Sequence, residues 1–449
     1  MFLERMRRRD ITFSASFKES LMKKILILSY NFAPRQTVGV IRPTKLAQAL
    51  REAGNEVDVV CVKPFGNLDH SFDEALKKLN ITYIDKIIVE EKVRPQGQQP
   101  KPAPAPAPAP KKNTLIRKIK TEGREILKIT RSIGFAKRFE KLVRADKEKY
   151  SSYDACISSY GPVASHLCGL VMKKHCPEVK WIADFRDPMV VNLTTPLTKP
   201  YRAALQEKVC KKADVLVAVS NGYADRIFGE KYKSKSKVIY NGFDRGDINT
   251  EGIESDGLFS FTYVGALYGG KRDIRPLFDV LKELCDEGSI DRNDIVINYG
   301  GNNLPILTDQ ASRFGLEDRI RDHGMLPRAK SLELQASARH LIHATWNEKG
   351  ENGVFPGKFL EYIMMGRSII SLVSGDVPLS EVTVVVKKAG LGITYEEVTK
   401  DTDRAALKEY ILNDYKNFKS GKGPALNIDS NEVNRFDFAN VAKQIEELI

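Results

Sequence analysis

Residues 23–62, KKILILSYNFAPRQTVGVIRPTKLAQALREAGNEVDVVCV, contain the pattern that decides the fold of this chain. The apolar run at 23–29 predicts a strand, and a loop of turn-forming residues follows it as far as Gly39. Apolar side chains then recur at helical spacing up to Gly54, a typical C-terminal cap, and 57–62 predicts a second strand. Strand, loop, helix and strand in this order open a doubly wound parallel sheet.

The same alternation of strands and helices continues to the end of the 449 residues, which are too many for one ordinary core. We therefore predict an α/β protein with two Rossmann-like, doubly wound domains, each built on a parallel sheet. The predicted segments are a basic N-terminal extension at 1–21, a first domain at 22–243, a hinge at 244–257, a second domain at 258–429 and a C-terminal helix at 430–449.

The overall charge indicates anionic partners. The net charge is +13, which favours nucleic acid, an acidic membrane surface or phosphorylated substrates, and charge alone does not choose among them. No run approaches the roughly 20 apolar residues of a membrane-spanning helix. No apolar segment follows the basic start of the chain, so we expect a cytoplasmic protein. The six cysteines lack C-x-x-C pairs and do not indicate a metal or redox site.

Two segments inside the first domain are unusual. The alternating Pro-Ala run at 94–112 predicts an exposed, extended insertion. The segment 115–149 predicts one long helix or two, with apolar residues at helical spacing and many basic residues between them. A basic amphipathic helix can lie on an anionic membrane, and it can equally be a domain helix with a solvated basic face.

In parallel sheets of this type, ligands bind beyond the carboxyl ends of the strands, so the loops there are candidate sites. In the first half, Gly39 lets the backbone approach a ligand, and Arg42 reinforces anion binding at the following helix. The segment ADFRDPM at 183–189 brings Asp184, Arg186 and Asp187 together directly after a strand. The alternatives are a simple strand–helix turn at Gly39 and an Asp–Arg pair that only orders the second loop.

The second half has two further candidate loops. A strand ends in a glycine-rich loop that runs from Gly265 to Lys271 and Arg272, and flexible backbone with two cations suits a diphosphate. Later, Gly357 and Lys358 stand at the start of a helix, where backbone amides attract phosphate. Glu361 lies three residues after Lys358, so the two share a face. Either Glu361 accepts hydrogen bonds from ribose hydroxyls, or the two residues form an ordinary surface pair.

Several segments of the chain follow one another in a specific order: the glycine loop around Gly39, SSYGPVASH at 158–166, WIADFRDP at 181–188, ADVLVAVS at 213–220, VIYNGFD at 238–244, FTYVG at 261–265 and GVFPGKFLEYIMMGRSII at 353–370. In this order they resemble the retaining glycosyltransferases of family 4, which have the GT-B fold and take part in bacterial surface-polysaccharide assembly. The resemblance covers most of the chain from about residue 22 onward. It implies two domains that face each other across a cleft, with the last helix returning to the first domain.

The resemblance also implies roles for individual residues. The second domain would bind a nucleotide sugar, with Glu361 on the ribose and with Lys271 and Lys358 on the diphosphate. Arg186 and Asp187 would lie beside the transferred sugar. The first domain would bind a glycan or polyprenyl-linked acceptor through the cleft residues Gly39, Arg42, Asp184 and His166. The alternative for His166 is a helix residue packed against the sheet.

This chain departs from the family pattern at one position. Many relatives carry a glutamate eight residues before the one matched by Glu361, and here that position is Gly353; the nearest acid is Glu351. The missing carboxylate usually faces the donor sugar. The backbone of Gly353, Val354 and Phe355 is expected to take over part of its role.

The expected reaction needs no cofactor beyond the nucleotide-sugar co-substrate. Lysines and a helix dipole would stabilise the leaving diphosphate, and no D-x-D motif stands where a metal is expected, so we predict metal independence. We expect no nucleic-acid partner, because the basic residues are not interleaved with aromatic platforms. Peripheral association with the inner membrane face is a further expectation. The alternatives are a sugar-nucleotide epimerase of similar architecture and a non-catalytic nucleotide-binding or scaffold protein.

Overall fold

The computed structural model describes residues 22–85, 114–192, 194–248, 253–255 and 257–449. The described chain forms one seven-stranded and one six-stranded sheet, and every strand pair within them is parallel. The predicted fold class is therefore confirmed. The N-terminal extension at 1–21, the Pro-Ala run at 94–112 and part of the hinge at 244–257 lie outside the described residues.

The first sheet has the strand order β3-β2-β1-β4-β5-β6-β7. Its strands are β1 (Lys24–Leu28), β2 (Glu56–Val62), β3 (Asn80–Ile84), β4 (Ala155–Ser159), β5 (Lys180–Phe185), β6 (Val215–Ala218) and β7 (Ser236–Val238). The α-helices of this half are α1 (Ile41–Glu52), α2 (Asp73–Lys77), α3 (Thr114–Ala145), α4 (Lys147–Ser151), α5 (Ala164–His175), α6 (Lys199–Lys212) and α7 (Asn221–Tyr232).

The second sheet has the strand order β10-β9-β8-β11-β12-β13. Its strands are β8 (Phe259–Val264), β9 (Ile295–Gly300), β10 (Ile320–Asp322), β11 (His340–Trp346), β12 (Ser368–Ser374) and β13 (Gly392–Glu396). The remaining α-helices are α8 (Arg275–Asp286), α9 (Leu304–Ser312), α10 (Arg328–Ser337), α11 (Gly357–Met365), α12 (Glu381–Ala389), α13 (Lys400–Lys419), α14 (Ser430–Asn434) and α15 (Phe438–Glu446).

Strand β1 is apolar at every position after Lys24, and its packing explains why. Ile25 and Ile27 belong to the core under α1 and α15, whereas Leu26 and Leu28 belong to the core under α3, α5, α6 and α7. Alternate side chains of a strand point to opposite faces, and helices cover both faces here. A strand buried on both sides therefore shows a continuous apolar run rather than an alternating one.

The predicted helix at 115–149 forms the 32-residue α3 and the short α4. Phe135, Phe139 and Val143 of α3 are buried at helical spacing, and α3 packs along α5. Towards its start, α3 leaves Ile119 and Ile126 exposed. No helix in the described ranges combines the length and apolarity needed to cross a bilayer.

The end of the chain divides between the two halves. The single helix predicted at 430–449 forms two helices, and Val433 of α14 packs in the second half whereas Val441 and Ile445 of α15 pack against the first sheet. The backbone of Phe243 holds this crossing in place, because its N–H donates to the Phe436 carbonyl and its carbonyl accepts from the Phe438 N–H.

Candidate functional site

Both sheets have a topological switch point, where strand order reverses and a crevice opens beyond the carboxyl ends. In the first sheet it lies between β1 and β4, and in the second it lies between β8 and β11. Ligands of doubly wound proteins bind at such points. Three of the four candidate loops, those after β1, β8 and β11, follow strands that flank a switch point, and the fourth follows the neighbouring β5.

Arg186 lies at the switch point of the first sheet, between two glycines. Its Nη1 donates to the Gly39 carbonyl at 2.5 Å, and Cβ atoms placed at Gly39 and Gly161 would stand 3.5 and 3.6 Å from its Nη2. Burial lowers the pKa of Arg186, while Asp184 and Asp187 oppose this effect. An arginine remains charged under these conditions, so a cation is held at the crevice.

Asp187 is exposed to solvent. Desolvation raises the pKa of its carboxyl, and Arg186 partly offsets that effect. The pKa of Tyr223 in α7 is raised to about 12, chiefly by burial and further by the charges of Asp187 and Glu351. Tyr223 therefore lies near acidic groups from both halves of the molecule.

The prediction that Arg42 and Asp184 contact a ligand in the cleft is corrected by their burial. Their side chains are 3% and 0% exposed, and the Arg42 Nη2 lies 2.9 Å from the Asp184 Oδ1. Arg42 also donates to the carbonyls of Ile239 and Tyr240, and Asp184 accepts from Ser159. The pair joins α1, β5 and the segment after β7 inside the protein, so it has no free group for an acceptor.

His166 is likewise not a cleft residue. It is fully buried, with its Nδ1 2.7 Å from the Ser158 Oγ and its ring packed against those of Tyr160 and Phe185. Burial lowers its pKa to about 3, so the imidazole is neutral at physiological pH. Packing against the sheet was the alternative explanation at the sequence level, and the structure agrees with it.

In the second half, Lys271 brings the loops after β8 and β11 together. Its Nζ lies 2.7 Å from Glu351 and 3.2 Å from Glu348, and 4.4 Å from the ring centroid of Trp346. Desolvation disfavours the charged amine, but hydrogen bonds to both glutamates raise its pKa. The hydrogen bond from Lys271 likewise lowers the pKa of Glu351. The side chain remains 34% exposed, so an incoming anion can reach it.

Arg272 folds back on its own loop instead of projecting from it. It donates to the Ala266 carbonyl at 3.1 Å and to the Tyr263 hydroxyl at 3.4 Å, and it stacks over the Tyr268 ring. Gly265 in the same loop has a φ of 145°, which side-chain-bearing residues rarely adopt. In this conformation Arg272 orders the loop that carries Lys271.

At the start of α11, Lys358 and Glu361 form an ion pair of 2.7 Å, as their spacing predicts. Glu361 also accepts from Gln335 at 3.1 Å and lies 4.0 Å from Arg328, both on α10. No side chain caps the helix, and a Cβ at Gly357 would meet open space. The helix N-terminus therefore offers its amides and partial positive charge to solvent beside a lysine.

The segment from Gly353 to Phe355 contacts the first half of the chain. The Gly353 carbonyl accepts from the Ser220 Oγ at 2.7 Å, and a Cβ on Gly222 would stand 2.5 Å from the Gly353 Cα. Phe355 is buried, and Val354 is half-buried. In this conformation, part of the backbone expected to replace the missing carboxylate is engaged between the domains.

Sequence reasoning missed several residues of this region, because they depend on contacts between distant loops. Asn192, from the loop after β5, donates to Glu351 at 2.8 Å and so joins the two halves. Tyr223, Arg328 and Gln335 lie on helices whose sequences carry no motif. The one available signal was Glu351 itself, the acid nearest to the position where relatives carry a glutamate.

No protein-family model matches this chain, and no curated protein matches it in sequence. Similar solved structures include a glycosyltransferase from Rickettsia africae ESF-5, at 14% identity and a TM-score of 0.52, with 95% of this chain and 97% of that chain covered. The catalytic domain of starch synthase IV from Arabidopsis thaliana, bound to ADP and acarbose, has 11% identity and a TM-score of 0.51, with 95% and 98% covered.

The UDP-GlcNAc 2-epimerase of Methanocaldococcus jannaschii has 11% identity and a TM-score of 0.49, with 94% of this chain and 98% of that chain covered. The similarity to the glycosyltransferase and to the starch synthase domain, whose TM-scores exceed 0.5, speaks for architecture and not for reaction at such identities. Two Rossmann-like parallel sheets, similar over nearly the whole length to proteins of this architecture, give the chain the GT-B fold.

Proposed function

We propose that this protein is a glycosyltransferase that moves a sugar from a nucleotide-sugar donor to a glycan or lipid-linked acceptor in cell-surface polysaccharide synthesis. One observation carries the proposal. At the switch point of the second sheet, two half-exposed lysines and an uncapped helix N-terminus accompany a carboxylate held by neighbouring side chains. This set suits a nucleoside diphosphate, which has two anionic phosphates and a ribose diol.

The donor would bind with its diphosphate between Lys271 and the N-terminus of α11, where Lys358 lies. Each lysine already contacts a carboxylate in this structure, so phosphate would exchange one anionic partner for another. Glu361 would then be released from Lys358 and could accept from two ribose hydroxyls. It is held for this role by Gln335, and its side chain is 16% exposed.

The reaction would break the bond between the anomeric carbon and the diphosphate oxygen, and the acceptor hydroxyl would form the new glycosidic bond. Its proton would pass to the departing phosphate. Positive charge placed where the leaving diphosphate gains negative charge lowers the barrier. Retention of the anomeric configuration, suggested by the resemblance, is part of this proposal. So is metal independence, since lysines and helix amides can supply the charge that Mg²⁺ supplies elsewhere; full turnover in excess EDTA is the expected result.

Arg186 and Asp187 are proposed to face the transferred sugar from the first domain. Arg186 is fixed between two glycines, and Asp187 stays exposed in the cleft. Glu351 contacts groups of both domains and is the acid we propose to approach the sugar from the second domain, in place of the missing glutamate. Closure of the two domains around the donor would exclude water and limit hydrolysis.

The first test is nucleotide binding. UDP, GDP, ADP and CMP are added to the protein, and the melting temperature is recorded for wild type, Lys358→Ala and Glu361→Ala. Lys330→Ala is the matched control, because Lys330 and Glu333 form the same i,i+3 pair on the neighbouring α10. A ligand raises the melting temperature by mass action, so one nucleotide should stabilise wild type and the control but neither site variant. Absence of any shift at millimolar nucleotide would contradict the proposed donor site.

A second test separates transfer from epimerisation. The matching nucleotide sugar is incubated with and without candidate acceptors, and products are followed by NMR. A glycosyltransferase releases nucleoside diphosphate rapidly only when an acceptor is present. Conversion of the donor into an isomeric nucleotide sugar without acceptor would establish the epimerase alternative, and binding without turnover in either mixture would establish the non-catalytic one.

A further inference from the structure

An open groove with an apolar floor lies on the outer side of the first domain, away from the strand ends that form the candidate site. Its volume is about 460 Å³, and it is lined by α3, α5 and α6. The floor includes Ile133, Leu167, Leu170 and Val171, each only partly buried. The volume falls within the roughly 300–1,000 Å³ range of small-molecule sites.

An exposed apolar stripe on α3 leads to this groove. Ile119 and Ile126 are 62% and 46% exposed, and they precede Ile133 at seven-residue intervals. Seven residues are nearly two helical turns, so the three side chains lie along one side of α3. Isolated exposed apolar residues are ordinary, but an apolar row that continues into an apolar groove forms a larger surface.

The rim of the groove is basic. Five lysines line it, and Lys173 and Lys174 are paired with Asp214 and Glu140. Lys137, Lys208 and Lys212 are exposed and form no ion pair among the residues that the structure describes. Glu140 is the sole acidic residue among the described residues of the lining, and its carboxylate already contacts Arg144 and Lys174.

This combination points to one kind of occupant. An apolar floor below unpaired cations complements an amphiphile with a hydrocarbon chain and an anionic headgroup. A second copy of this chain would be repelled if its groove faced this one, because both rims are positive. The Pro-Ala run at 94–112 is an unsuitable occupant as well, since the charged residues within it are lysines and an arginine.

We propose that the groove and the stripe of Ile119 and Ile126 bind an anionic phospholipid of a membrane surface, with acyl chain against the apolar floor and phosphate against the lysine rim. This inference rests on the proposed function for its biological setting. It adds the surface that would hold the enzyme near a lipid-linked acceptor. Vesicle binding needs no turnover, so the two proposals can fail separately. Basic amphipathic surfaces bind anionic bilayers both by burying apolar side chains and by attracting the negative headgroups.

The test is co-sedimentation of the full chain with phosphatidylcholine vesicles that do or do not contain phosphatidylglycerol. Wild type should bind only the anionic vesicles. The rim variant K137A/K208A/K212A should bind about a hundredfold more weakly, because each lysine near an anionic surface contributes roughly a fivefold factor. The control K387A/K388A/K400A removes the same charge from exposed positions of the other domain and should bind like wild type.

The apolar part is tested separately. I119S/I126S changes two exposed side chains, so folding should be preserved, and its vesicle binding should become weaker and fully reversible by salt. L170W places an indole in the groove, and vesicles with brominated acyl chains should quench it. Equal binding by the rim variant and the control, an unchanged I119S/I126S, or an unquenched L170W would each overturn the proposal. So would equally tight binding to soluble polyphosphate, which has no acyl chain.

Discussion

Two ion pairs, one near the switch point of each sheet, differ in what they can do. Arg42 and Asp184, beside the switch point of the first sheet, are 3% and 0% exposed, whereas Lys358 and Glu361 at the second switch point are 34% and 16% exposed. The buried pair has satisfied its hydrogen bonds within the protein. The half-exposed pair can exchange partners with an incoming ligand, so burial distinguishes a structural pair from a candidate binding pair.

The largest effect should come from breaking the buried pair. Arg42→Ala leaves the Asp184 carboxylate buried without its cation and should lower the free energy of unfolding by about 3–5 kcal/mol. Lys358→Ala, at a surface pair, should lower it by no more than about 1 kcal/mol. Urea denaturation of both variants measures the difference. Equal losses would remove the distinction drawn between the two pairs.

Nucleotide affinity should depend on the exposed ion pairs of the second domain and not on the buried pair of the first. Lys271→Ala removes a charged hydrogen-bond donor from the proposed diphosphate site and should weaken binding of the nucleoside diphosphate about 10–100-fold, since such a bond contributes about 1.5–3 kcal/mol. Calorimetric titration measures the dissociation constant. Lys282→Ala, from an exposed pair with Asp286 on α8, is the control and should bind as wild type does. Unchanged affinity in Lys271→Ala would show that its glutamate contacts are purely structural.

Two buried histidines make the domains comparable in their response to acid. His166 in the first domain and His343 in the second are both fully desolvated, which lowers each pKa from 6.5 to about 3. Below pH 6.5 the unfolded chain binds protons that the folded protein excludes, so stability falls as pH falls towards the folded pKa. From pH 7.5 to about 5.5, each histidine should cost about 1.4 kcal/mol of unfolding free energy.

Denaturation of wild type, His166→Gln and His343→Gln at both pH values checks this expectation. Each variant should lose one histidine's share of the pH dependence, whatever its stability at neutral pH. If only one of the two variants lost part of the pH dependence, the two domains would not exclude protons equally.

The sequence was most informative where local chemistry determines structure. Central strands such as β1 and β8 are almost entirely buried and were predicted, whereas the edge strands β3 and β10 were not, because they are partly exposed. The spacing of Lys358 and Glu361 sufficed to predict their contact, since both lie on one helix. The candidate loops follow strands as predicted, but the partners of their side chains were not predicted.

The limits of prediction are clearest at Asp184 and Asp187. The two carboxylates are three residues apart in one loop motif, and either could have faced a ligand. Asp184 is buried because Arg42, 142 residues earlier, reaches it, and that contact exists only after the sheet has formed. The contact of Lys271 with Glu351 spans 80 residues and depends on two loop conformations. Neither partner is encoded in local spacing.

The smallest effect is expected at the contact between the domains. Asn192→Ala removes one hydrogen bond to Glu351 at an exposed position and should change stability by no more than about 1 kcal/mol. Gly222→Ala is the stronger variant, because its Cβ would lie 2.5 Å from the Gly353 Cα and the two domains must separate to admit it. Small-angle scattering should show a larger radius of gyration for Gly222→Ala and an unchanged radius for Asn192→Ala. If Gly222→Ala keeps the wild-type radius, the loops at Gly222 and Gly353 can yield locally, and the half-exposed site of the second domain is free to bind a donor without any movement of the first.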